Sequence, residues 1–173
     1  MADKIIIFSG KQYSGKDTAA KILMEFLPEY KRCAMGDIIK IEYGKQHNLS
    51  YDEIESNKPL HRQGLIELGN WGRSQSPDYW LKKIISQEGK IIVTDVRVPH
   101  EYEVFKSAGA ISIRIEAPRE IRATRGQLVN ENDITETDLD EITEWDYIVH
   151  NDKELENLKQ IANMLIKELK NEI

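Results

Sequence analysis

The chain has 173 residues, 40% hydrophobic and 31% charged, which fits one globular domain with its own core. Its single cysteine, Cys33, excludes an internal disulfide framework, no apolar run approaches the roughly 18 residues of a membrane span, and MADKIIIFSG lacks the form of a signal peptide, so a cytoplasmic protein off the membrane is expected. The net charge of −6 argues against general nucleic-acid binding, but seven of the 30 acids fall in residues 128–145, which hold no Lys or Arg; the other 23 acids face 24 bases, leaving room for a basic pocket.

In chain order, KIIIFS (4–9) is a short, fully apolar, β-branched run, the pattern of a buried parallel strand. GKDTAAKILMEFL (15–27) has helical apolar spacing and stops at Pro28. RCAM (32–35) is a second short strand. Residues 36–48 and 57–73 read as helices, the second interrupted by glycines, and 77–87 opens with Pro77 as a helix often does. KIIVTD (90–95) is a buried strand ending in a carboxylate. A helix over 99–109, a strand over 110–117, a short helix over 118–126 and a strand over 146–151 follow. Residues 151–170 read as an amphipathic helix, with Asn151 and Glu154 placed as a capping box. Strands alternating with helices predict an α/β fold in three layers, a five-stranded parallel sheet flanked by helices, in one domain over 1–173.

Between the first strand and helix lies GKQYSGKD (10–17). Gly10, Gly15 and Lys16 fit the phosphate-binding loop G-x-x-x-x-G-K-[ST], in which backbone N–H groups and a helix N-terminus gather on phosphate oxygens. Lys16 would reach the β- and γ-phosphates, and Lys11 adds a second cation. Asp17 stands where a hydroxyl is usual. A carboxylate there serves the helix dipole, with Thr18 supplying the hydroxyl, or it works through Mg²⁺ or an acceptor proton.

Asp95 ends a buried strand, where open α/β sheets bind ligands, and can hold Mg²⁺ directly or through water, or accept a proton. Arg97 can clamp a phosphate with two hydrogen bonds. Arg62 and Arg73 lie on one predicted helix, and Arg119, Arg122 and Arg125 share one face of another. The acidic stretch after Arg125 has no counter-ions of its own and few apolar residues, so residues 119–142 are expected to form a mobile flap that closes over ATP. The four histidines show no metal-ligand spacing, and Trp71, Tyr79 and Trp80 are expected in the core.

With these residues in place, the chain resembles two related families. FSGKQYSGKDT is similar to the loop of bacteriophage-type deoxynucleoside monophosphate kinases and of animal-type phosphomevalonate kinases, both of which carry Asp at the position of Asp17. VTDVRVPHEYEVFKSAGA is similar to the Asp-x-Arg-x-x-x-Glu stretch of the phage enzymes, and KPLHRQGLIELGNWGRSQSPDYW to the acceptor-side helix of both families. The resemblance implies a P-loop kinase fold with an acceptor-side helical insert at about 36–88. It implies ATP and Mg²⁺ as cofactors and a small phosphorylated substrate, with the chain a monomer or homodimer. Within it, Lys16, Asp17, Asp95 and Arg97 would be catalytic, with Asp17 and Asp95 serving the metal. Gly10, Lys11, Ser14, Gly15, Lys16, Asp17, Thr18, Arg122 and Arg125 would bind ATP, and Arg62, Arg73 and Arg97 the acceptor. Animal phosphomevalonate kinases carry basic residues where this chain has Gln12, Tyr13 and Val98. A (deoxy)nucleoside monophosphate is therefore the expected acceptor, phosphomevalonate the alternative, and a nucleotide-binding module without turnover the rival from another class.

Overall fold

Short runs of Ile and Val, too apolar to face water on either side, lie side by side in one parallel sheet. The structure, a computed structural model, describes residues 2–153 together with Leu158, Lys159, Asn163, Ile166 and Lys167. The sheet comprises β1 (Lys4–Ser9), β2 (Tyr30–Arg32), β3 (Lys90–Val93), β4 (Ile111–Glu116) and β5 (Tyr147–His150), in spatial order β2-β3-β1-β4-β5. Every pairing is parallel, and Ile7 of central β1 lies between Val93 and Ser112. The helices are α1 (Lys16–Phe26), α2 (Met35–His47), α3 (Tyr51–Ser56), α4 (Lys58–Gln75), α5 (Tyr79–Ile85), α6 (Pro99–Ser107), α7 (Arg119–Arg125) and α8 (Ile134–Thr137).

The pleat divides β1 between two cores. Ile6 and Phe8 pack with Ala19, Ile22 and Leu23 of α1, and with Leu158 and Ile166. Ile5 and Ile7 pack on the opposite face with Ile38 and Ile39 of α2, Trp80 and Ile84 of α5, and Phe105 of α6. This is the expected three-layer arrangement. The expected helix over 151–170 lies for the most part outside the described residues.

Two elements differ from expectation. Of the run 32–35 only Arg32 is in a strand; Cys33 and Ala34 are buried just past its end, and Met35 opens α2. The strand is at the sheet edge and buries only Tyr30, so the apolar signal sits downstream of the strand itself. The sequence reading also passed over α3, whose start is fixed by a capping box: Ser50 Oγ accepts from Glu53 N at 3.2 Å and Glu53 Oε2 accepts from Ser50 N at 2.8 Å.

The glycines that weakened the reading of α4 make room for neighbours. Trp80 is 1% exposed, and its indole N–H donates to Gly69 O at 3.0 Å. A Cβ on Gly72 would lie 2.4 Å from the indole nitrogen. Trp71, by contrast, is 48% exposed and meets Tyr79 edge-on, so it is not the core residue expected. Gly72→Ala should destabilise the protein by about 1–3 kcal/mol in chemical denaturation, because overpacking outweighs the usual helical gain of Ala over Gly. Gly36→Ala in α2, with nothing within 4 Å of the added Cβ, should stabilise it by about 0.5–1 kcal/mol. Equal effects at the two sites would remove the packing argument.

Candidate active site

The loop after β1 turns back on itself through three residues of positive φ: Gly10 (153°), Tyr13 (58°) and Gly15 (99°). At Gly10 a side chain would also strike Ile115 O at 2.4 Å, and at Gly15 the Asn151 amide at 2.3 Å. Neither position admits a Cβ, which is why the motif needs its two glycines here. Asn151, expected only as a helix cap, donates its side-chain N–H to Ser14 O at 2.7 Å and braces the loop from the end of β5. Lys16 opens α1 with its side chain nearly buried, and its Nζ lies 3.5 Å from the exposed carboxylate of Asp17. Gly15, Lys16, Asp17, Thr18 and Arg125 line one cleft. Ser14 Oγ is buried with no hydrogen-bond partner, facing a second cleft with Lys11 and Arg122. An orphan hydroxyl among cations is a place for an anionic oxygen.

The arginines of α7 are tied to this loop. Arg122 is buried and donates to Gln12 O at 3.2 Å, while its Nε has no partner. Arg125 donates to Tyr13 O and Ser14 O, both at 3.3 Å, and to Asn151 O at 3.0 Å. Arg119 pairs with Glu131 at 2.8 Å.

The acidic segment finds its counter-ions outside itself, which the sequence did not foretell. Glu131 also meets Arg122 at 3.5 Å. Glu136 accepts from Gln12 N at 2.8 Å and from Arg97 Nη1 at 2.9 Å, with its side chain only 5% exposed. Asp140 sits between Lys11 at 2.6 Å and Arg114 at 2.7 Å. Leu139 is buried, and the Tyr102 hydroxyl donates to Glu144 O. Residues 119–142, expected as a flap short of counter-ions, are therefore tied to the site before any nucleotide is present: Glu131 holds Arg119 and Arg122, and backbone carbonyls hold Arg125.

Asp95 lies two residues beyond β3, beside the loop. Burial, with the neighbouring Glu101 carboxylate, pushes it up to about 6, although Met35 N donates to it at 2.9 Å. Burial raises Glu101 as well, against the N–H groups of Arg97 and Val98 and the charges of Arg73 and Arg97. Asp95, Glu101, Arg73 and Arg97 thus form one locus. From it a groove of about 740 Å³ runs between α2 and α4, lined by Lys40, Lys58, Arg62 and Arg73 with Pro59, Leu65 and Ile66. Arg73 reaches the Met35 sulfur at 3.9 Å, at the Asp95 end. Arg62 is three helical turns away, about 16 Å along the axis.

Among the described residues no three His, Cys, Asp or Glu side chains gather as a metal cage would require. Mg²⁺ carried on phosphates needs only one or two protein carboxylates, and the hard oxygen donors of Asp17 and Asp95 are of the type it takes. Glu136, Arg114 and Asn151 are site residues the sequence reading missed. For Arg114 a signal existed: it is a charge buried within the largely apolar run of ISIRIE, ahead of the exposed Glu116 at its end.

A phosphate loop at the carboxyl end of a parallel sheet, facing a basic groove across a buried carboxylate, defines a P-loop kinase. The family model for phosphomevalonate kinase matches residues 8–110, and that for deoxynucleotide monophosphate kinase matches residues 65–161. Each match spans more than half of the chain, and the chain belongs to the P-loop kinases that these two overlapping families represent. It is a phosphotransferase. Shikimate kinase from Aquifex aeolicus vf5 shares the fold at a TM-score of 0.54 and 19% identity, over 97% of both chains. Shikimate kinase from Acinetobacter baumannii, solved in complex with shikimate, gives 0.59 at 15% identity over 98% of this chain and 94% of that one. A gluconokinase from Sinorhizobium meliloti 1021 gives 0.54 at 13% identity over 96% and 93%. No helix among the described residues is long and apolar enough to cross a membrane.

Proposed function

We propose that the chain transfers the γ-phosphoryl group of ATP to the phosphate of a (deoxy)nucleoside monophosphate. The observation that carries this reading is the groove between α2 and α4, which joins Arg62 and Arg73, with Lys40 and Lys58 paired to Glu55, to an apolar wall of Pro59, Leu65 and Ile66. A phosphate attached to a flat, largely uncharged body suits that mixture better than a small polyanion does. Mg²⁺, when bound, would neutralise charge on the phosphates beside Asp17 and Asp95. Lys16 stabilises charge on the transferring phosphoryl group. Asp95, ionised, would help hold that Mg²⁺ or would accept a proton from the acceptor. Arg73 and Arg97 hold the acceptor phosphate, since both converge on the Asp95 end, while Arg62 lies too far along α4 to share that phosphate and serves the rest of the acceptor. Arg122 and Arg125 fix the loop and close on ATP.

Phosphomevalonate is the second reading, favoured by the family match over residues 8–110. ADP release measured with a panel of nucleoside monophosphates and phosphomevalonate decides between them. At least one nucleoside monophosphate should give a kcat/KM well above that for phosphomevalonate. Turnover with phosphomevalonate alone would overturn the nucleotide reading, and ATP binding without turnover on any acceptor would leave a binding module.

A further inference from the structure

The Glu136 carboxylate bridges the phosphate loop and Arg97. Its two oxygens take one backbone N–H of the phosphate loop and one arm of the Arg97 guanidinium, at 2.8 and 2.9 Å. Those are the lengths of charge-assisted hydrogen bonds to phosphate, and both donors belong to groups built to hold phosphate. The side chain is 5% exposed, so its charge rests on these donors rather than on water. It comes from α8, a single turn far from the loop in sequence, while the donors come from the ends of β1 and β3.

We propose that Glu136 is an internal occupant of the phosphate subsite between Gln12 and Arg97, displaced when a ligand phosphate enters. This rests on reading the loop as a phosphate site. An ionised carboxylate already satisfies two strong donors, so an entering group must offer at least as much negative charge on as many oxygens. A phosphate dianion or a polyphosphate does; a hydroxyl or a neutral base does not. Glu136 therefore sets a charge threshold and makes the subsite selective for highly charged phosphates, by placing a competitor that weaker ligands cannot expel. Glu131 on Arg119 and Asp140 on Lys11 repeat the arrangement at neighbouring cations.

Calorimetric titration with inorganic tripolyphosphate tests this without any chemistry. Glu136→Gln removes the charge at nearly constant shape and should bind tripolyphosphate about tenfold tighter than wild type, the effect of losing one charge-assisted competitor. Glu136→Asp keeps the charge but shortens the side chain, so it can no longer reach both donors. It should also bind tighter, which a general change in the protein's field would not produce. Glu141→Gln, on the exposed turn beside α8, should stay within about twofold of wild type. Thermal melts of each variant exclude misfolding, and the Asp variant keeps the test alive if the Gln variant is unstable. Unchanged or weaker binding in both Glu136 variants would overturn the proposal and make Glu136 a brace for Arg97. ADP release is scored separately: a protein that binds tripolyphosphate as described but transfers no phosphoryl group retains the displaced carboxylate and loses the kinase substrate assignment.

Discussion

Lys16→Ala should lower kcat by about 10²–10³ while changing the Kd for ATP by less than about tenfold. The Nζ of Lys16 sits at the start of α1, nearly buried and 3.5 Å from Asp17. On the proposed reading the loop N–H groups and the arginines of α7 would also hold the phosphates in the ground state, so one cation more or less should matter little to binding. During transfer, charge builds up on the oxygens next to Lys16, and an interaction that strengthens only then appears in kcat. The low exposure sharpens this, because the ammonium acts where water screens weakly. Lys16→Arg should recover little activity, since the planar guanidinium fork cannot stand in for a compact ammonium point charge. Stopped-flow measurement of the transfer step separates the effects: a variant with normal transfer and weakened ATP binding would strip Lys16 of its catalytic assignment.

What could be read from the sequence follows from how local each signal is. β1, β3 and β4 are buried on both faces, so their apolar runs are unmistakable; the edge strand β2 buries one side chain, Tyr30, and the reading slipped downstream. The phosphate loop is legible because its chemistry lies in eight consecutive residues. Asp95 and Arg97 are legible because a carboxylate at the end of an apolar strand is a local pattern too. Glu136 is not, since its partner Gln12 is 124 residues away, and nothing in an acidic stretch says which carboxylate will meet which cation. The same holds for Arg114 and Asp140, which meet across 26 residues. Composition marks residues 128–145 as lacking internal counter-ions, but it does not show that the cations of the site supply them, as they do for Glu131, Glu136 and Asp140.

Asp95→Asn should abolish activity, by about 10²–10³ or more, and at the same time stabilise the protein at neutral pH. The Asp95 carboxyl is raised from 3.8 to about 6, first by burial and then by Glu101, with Asp37 adding to it; the Met35 N–H and Arg32 oppose the shift without cancelling it. A raised acid contributes stability that is fully present below its unfolded value, near pH 3.8, and that is lost as pH rises through the folded value near 6. A shift of that size corresponds to something on the order of 2–3 kcal/mol. Asparagine has no charge to bury and can still accept from Met35 N. In Mg²⁺-free buffer, denaturant unfolding should therefore give variant and wild type equal stability near pH 4, with the variant gaining on the order of 1–3 kcal/mol by pH 7.5. On the proposed role activity would need the ionised form, so the residue that costs stability would be the one the reaction requires. If Asp95→Asn proves less stable than wild type at pH 7.5, the carboxylate is held by a favourable partner rather than strained by burial, and its place at the reacting end of the groove loses its physical basis.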